Sequence, residues 1–160
     1  GLTAEAFASG QGDYSVEFEP FAASLEKEKK GVVVASLGVD SGMVPYTAYS
    51  AKESYIKKNA DTIQKFTNAL QKGMDFVKSH TPQEIAEVIQ PQFKETERET
   101  LTTIVERYYD QGTWKDNLVF EKESFELLQD ILESGGELSN RVSYEELVNT
   151  EFASKAPKTK

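Results

Sequence analysis

Cysteine is absent from these 160 residues, histidine occurs once and tryptophan once. Without cysteine there is no disulfide framework and no thiolate metal site, although the compartment stays open. One histidine without a cysteine partner also removes the usual nucleophile–base pairs and nearly all zinc sites. That residue, His80, closes a helical stretch, where an imidazolium suits exposed carbonyls better than catalysis. Basic residues are outnumbered: 18 Lys and Arg against 27 Asp and Glu give a net charge of −9. A chain so acidic lacks the cationic face that nucleic acid or an anionic membrane requires. Nor does any apolar run approach the roughly 20 residues that span a bilayer. Glycine-rich phosphate loops are missing too, since Gly10-Gln11-Gly12 lacks the further glycine and the preceding strand of a dinucleotide fingerprint. The acidic series Glu95, Glu97, Glu99 has the look of a helix's first turn rather than a metal cluster.

What is present is an asymmetric pattern. Three β-like stretches lie early: residues 13–18, 31–37 (with Val32-Val33-Val34-Ala35 at its centre) and 45–51. A helix at 2–9 precedes the first, and another at 21–29 separates the first two, giving a strand–helix–strand unit. Everything afterwards reads as helix. Residues 61–79 carry Ile63, Phe66, Leu70, Met74 and Val77 at three- and four-residue steps, one apolar stripe. A fully packed Phe66 would cost roughly 3–5 kcal/mol on replacement by alanine. Capping boxes are expected at Thr81-Pro82-Gln83-Glu84, Thr96-Glu97-Arg98-Glu99 and Ser143-Tyr144-Glu145-Glu146. The second opens a helix with Leu101, Ile104, Val105 and Tyr108 inward, ended at Gly112. Another helix places Phe125, Leu128, Ile131 and Leu132 inward and stops at Gly135-Gly136. The tail 154–160 is expected to be disordered.

The segment from Gly10 to Pro20 carries most of the functional signal. Gly12 lets the chain turn out of a helix, and Pro20, which has no N–H to donate, suits the first position of the next. Glu19 would thus stand at a strand's end beside a helix N-terminus, where open α/β sheets place ligand contacts. Glu17, two residues earlier on the same face, could join it in binding an amine-bearing ligand. The alternative is that Glu19 caps the helix that follows and Glu17 faces solvent. Tyr14, Phe18 and Tyr46 offer aromatic surface for a planar ring, and Thr47 a hydroxyl; core packing and backbone satisfaction are their ordinary fates.

In order, Phe7-Ala8-Ser9-Gly10-Gln11-Gly12-Asp13-Tyr14, Phe18-Glu19-Pro20, residues 31–38, Val44-Pro45-Tyr46-Thr47 and Tyr55-Ile56-Lys57-Lys58-Asn59-Ala60 resemble the C-terminal half of one family. It is the SsuA/THI5-like (NMT1-type) family of substrate-binding proteins of ABC importers; Phe18 stands where that family usually has tryptophan. The resemblance implies an α/β fold, part of a type II periplasmic-binding-protein-like architecture, with a few strands near the N-terminus followed by several helices. It places 1–37 at the end of a second lobe and 38–160 in the return to the first lobe. It further implies a non-enzymatic, extracytoplasmic receptor, periplasmic or lipid-anchored. Such a receptor takes no cofactor and no metal, and hands a small molecule such as an aminopyrimidine or thiamine precursor to a membrane permease. No basic-then-apolar signal segment opens the sequence, so a partial chain is expected, and with partners missing, self-association or a domain swap. An enzyme akin to the THI5-type pyrimidine synthases and a non-catalytic helical interaction module are the alternatives.

Overall fold

A computed structural model describes residues 2–157. Its regular elements are helices: α1 (Leu2–Ala8), α2 (Phe21–Lys27), α3 (Leu37–Asp40), α4 (Glu53–Lys58), α5 (Ala60–Ser79), α6 (Pro82–Ile89), α7 (Arg98–Asp110), α8 (Lys122–Ser134), α9 (Tyr144–Leu147) and α10 (Glu151–Ser154), with a 3₁₀ turn at Gln90–Gln92. The chain divides into two compact units. Unit 1 is Gly1–Val39 with His80–Trp114; unit 2 is Asp40–Ser79 with Lys115–Lys160.

The expected α/β class is corrected by this architecture, because no strand occurs among the described residues. Residues 13–18, 31–36 and 45–51 have the side chains of strands but run as irregular chain. A strand exists only through the ladder it makes with a neighbour, and β-propensity reflects packing on a pleated surface more than backbone preference. Here Tyr14, Val16, Val32, Val34, Tyr46 and Tyr49 lie exposed, so neither ladder nor surface is provided. The Val33 N–H goes instead to the carboxylate of Glu26.

Unit 1 is built on α7. Leu101, Ile104 and Val105 are buried on one face of it, as their spacing requires. Helix α6 packs there with Ile85 and Ala86. Helix α2 adds Ala23 and Leu25, and α1 packs on α2 through Ala4. The alanines let these short helices approach closely. Helix α6 begins with a complete capping box: Glu84 N–H donates to Thr81 Oγ1, and Thr81 N–H donates back to Glu84 Oε2 at 2.8 Å. The other two expected boxes do not close. Helix α7 starts one residue late, with Glu97 at its cap and no side-chain cap bond, and the Glu97 carboxylate pairs with Lys27 at 2.6 Å. Ser143 does cap α9, but without a side-chain bond, and Glu145 pairs with Lys122. Gly112, at φ 68°, turns the chain after α7.

In unit 2, α5 is 20 residues long, but what packs on it is short: α4 of six residues and α10 of four. Ile63, Leu70, Met74 and Val77 are accordingly half-buried. Phe66 is 46% exposed and lies edge-on to Tyr49, ring centroids 5.0 Å apart. The fully packed Phe66 expected from the stripe is therefore not found. The buried residue of α5 is polar: the Gln71 amide donates to Asp75 Oδ1 at 2.9 Å and reaches the Asp116 carbonyl at 3.5 Å. Helix α8 buries Phe125 between the rings of Phe120 and Tyr144, and the Tyr144 hydroxyl donates to the Phe120 carbonyl. Ile131, expected inward, is exposed. At the end of the chain, α10 occupies residues 151–154, and residues 158–160 of the tail lie outside the described residues.

Candidate functional site

Glu19 sits where the chain enters α2, and its carboxylate is nearly enclosed, 8% exposed. Oε2 accepts the Ala23 N–H at 2.9 Å, tying off a donor in the first turn of α2. Oε1 accepts from Arg107 Nη1 at 2.8 Å. Pro20 takes the cap position, one residue before the place expected for it, and the helix begins at Phe21.

Arg107 comes from the last turn of α7 and spans two carboxylates. Its Nη2 donates to Glu26 Oε2, while Glu26 Oε1 accepts the Val33 N–H at 2.9 Å. The Val33 N–H, and next to it the guanidinium, hold the Glu26 carboxyl below its ordinary range. Partial burial works against the Arg107 charge, but the two carboxylates outweigh it and leave the guanidinium above its usual value. The network joins the entry to α2, its last turns, the C-terminal turn of α7 and residue 33. Sequence reading singled out Glu19 and missed the other two. The available signal was Arg107's place three residues after Ile104, on the flank of the buried stripe of α7.

The remaining candidates are arranged differently. Glu17 accepts Ser15 Oγ at 2.6 Å and Thr3 Oγ1 at 3.1 Å. Its partners are thus separate from those of Glu19. Tyr14 is 83% exposed and Phe18 more than half exposed, both on the irregular segment of unit 1. Tyr46, 79% exposed, and Thr47 belong to unit 2. The geometry of unit 1 therefore separates one committed carboxylate, Glu19, from a neighbouring stretch whose aromatic residues are largely exposed and whose second carboxylate, Glu17, is half-buried and held by Ser15 and Thr3.

Residues 3–85, just over half of the chain, match the family model described as NMT1/THI5 like. The chain belongs to the NMT1/THI5-like family. The matched region contains Tyr14, Glu17, Phe18, Glu19, Glu26, Tyr46 and Thr47, whereas Arg107 lies beyond it. Among curated proteins, the chain is 42% identical over 157 residues to YtlA of Bacillus subtilis (strain 168), whose name marks it as a candidate binding protein. The alignment takes in 98% of this chain and 47% of YtlA, so the chain spans about half the length of that relative. No solved structure matches it. No helix among the described residues is long and apolar enough to cross a membrane.

Proposed function

We propose that this chain is part of the solute-binding receptor of an ABC importer, which binds a small organic molecule outside the cytoplasm and passes it unchanged to a membrane permease. The observation that carries the reading is membership of the NMT1/THI5-like family together with likeness to a relative named for binding. The ligand class we favour is an aminopyrimidine or a similar thiamine precursor. Tyr14 and Phe18, both more than half exposed, supply aromatic surface for a planar heterocycle, and Glu17 supplies a carboxylate for its amino group. Tyr46 and Thr47, which belong to unit 2, are proposed as ligand contacts of that unit. Glu19 acts as a positioning residue, holding the end of the Tyr14–Phe18 stretch against α7 through Arg107. Catalysis has no part in the proposal, and the chain's one histidine, His80, lies outside this stretch.

Isothermal titration of this chain with an aminopyrimidine, thiamine, an alkanesulfonate and nitrate tests the reading. Saturable heat for the aminopyrimidine, with the probe recovered chemically unchanged, is expected. Conversion of the probe would replace the receptor by an enzyme, and saturable heat for nitrate or the sulfonate alone would overturn the ligand class.

A further inference from the structure

Residues 31–36 cross unit 1 held by backbone and polar contacts. At Gly31 the backbone lies so near the Phe7 ring that an added Cβ would stand 2.8 Å from its Cε1. At Val33 the N–H donates to Glu26 Oε1. At Ser36 the hydroxyl donates to Gln111 Oε1 at 2.9 Å, just past the end of α7. The apolar side chains contribute little to this attachment, since Val32 is 77% and Val34 72% exposed. Burial in unit 1 is concentrated elsewhere, in Ile85, Ala86, Leu101 and Val105. Among the three anchors only Glu26 is charged, and Arg107 braces it from α7.

We propose that residues 31–36 form a strap that can lift from unit 1 while its helices stay folded, and that Glu26, braced by Arg107, is the latch. Opening exposes little additional apolar surface, because Val32 and Val34 already face solvent and Val33 is about half exposed. What must be given up is a small set of hydrogen bonds that water can replace, and segments of this kind open at the low end of a protein's free-energy range. The latch is therefore the term that decides how often the strap is up. Lys29 and Lys30, both exposed and immediately before the strap, give a direct readout of that state.

Limited trypsin digestion with mass analysis, run beside amide hydrogen exchange, tests the proposal. Removing one net hydrogen bond should speed cleavage after Lys30 by about tenfold in Glu26→Ala. Glu26→Gln, which keeps an acceptor for the Val33 N–H but loses the charge, should fall between Glu26→Ala and wild type. Arg107→Gln should also speed cleavage. In wild type the amides of residues 31–36 should already exchange faster than those of Leu101 and Val105, and in Glu26→Ala exchange in residues 31–36 should rise further. Cleavage and exchange in Glu26→Ala that match wild type would remove Glu26 as the latch. Strap amides as slow to exchange in wild type as those of Leu101 and Val105 would show that the segment opens only when the whole unit unfolds, and would overturn the strap itself.

Discussion

Arg107 is the residue whose loss unit 1 should feel most among its charged groups. It is 31% exposed and faces two carboxylates, of which Glu19 is nearly enclosed. Truncating one member of such a pair strands the other in a poorly solvated place. Arg107→Ala should destabilise the protein by about 3 kcal/mol, near the low end for buried pairs because the guanidinium is partly wet. A double-mutant cycle with Glu19→Gln and Arg107→Gln, read by urea unfolding, should return a coupling of about 1 kcal/mol or more; additive effects would show that the pair is incidental. Glu26 adds a pH dependence. The Val33 N–H and the Arg107 guanidinium depress its folded carboxyl pKa below the ordinary 4.5, so the native state binds fewer protons there than the unfolded chain. Its contribution is present above the unfolded pKa and is lost as pH falls through the folded one. Between pH 7 and about pH 3, wild type should therefore lose more stability than Glu26→Gln. Equal losses would mean that Glu26 is not held as the structure has it.

At the scale of elements, α5 and α7 make an instructive pair, since both carry apolar residues at helical spacing. Leu101 on α7 is 2% exposed, and Leu101→Ala should cost roughly 3 kcal/mol. Phe66 on α5 is nearly half exposed, and Phe66→Ala should cost only about 1 kcal/mol. Thermal or urea unfolding of the two variants checks the order, and a larger loss at Phe66 would reverse it. The comparison shows what periodicity can reveal. It identifies which face of a helix is apolar, and for α7 that face meets α6 and α2. It does not reveal how much cover exists, and for α5 the cover is two short helices. The same limit explains the missing strands. Val32-Val33-Val34 and Tyr46–Tyr49 have β-forming side chains, but pairing is a property of two segments and cannot be read from one. The Thr81 capping box was legible because all its bonds lie within four residues. The clasp of Glu19, Glu26 and Arg107 was legible at one end only, for its partners are 81 and 88 positions apart.

The chain is acidic, cysteine-free and divided into two compact units, and just over half of it matches the NMT1/THI5-like family model. Its proposed role depends on a division of labour in the Tyr14–Glu19 stretch: the exposed ring of Tyr14 meets the ligand, and the enclosed Glu19 keeps the stretch in place. Calorimetric titration with the aminopyrimidine, comparing Tyr14→Ala with Glu19→Gln, tests that division most directly. The account predicts that Tyr14→Ala weakens binding by at least about tenfold, the worth of one stacked ring, with an unfolding temperature like that of wild type. It predicts that Glu19→Gln lowers the unfolding temperature while the folded fraction binds with little change. Tight binding by Tyr14→Ala, with affinity lost in a fully folded Glu19→Gln protein, would contradict it.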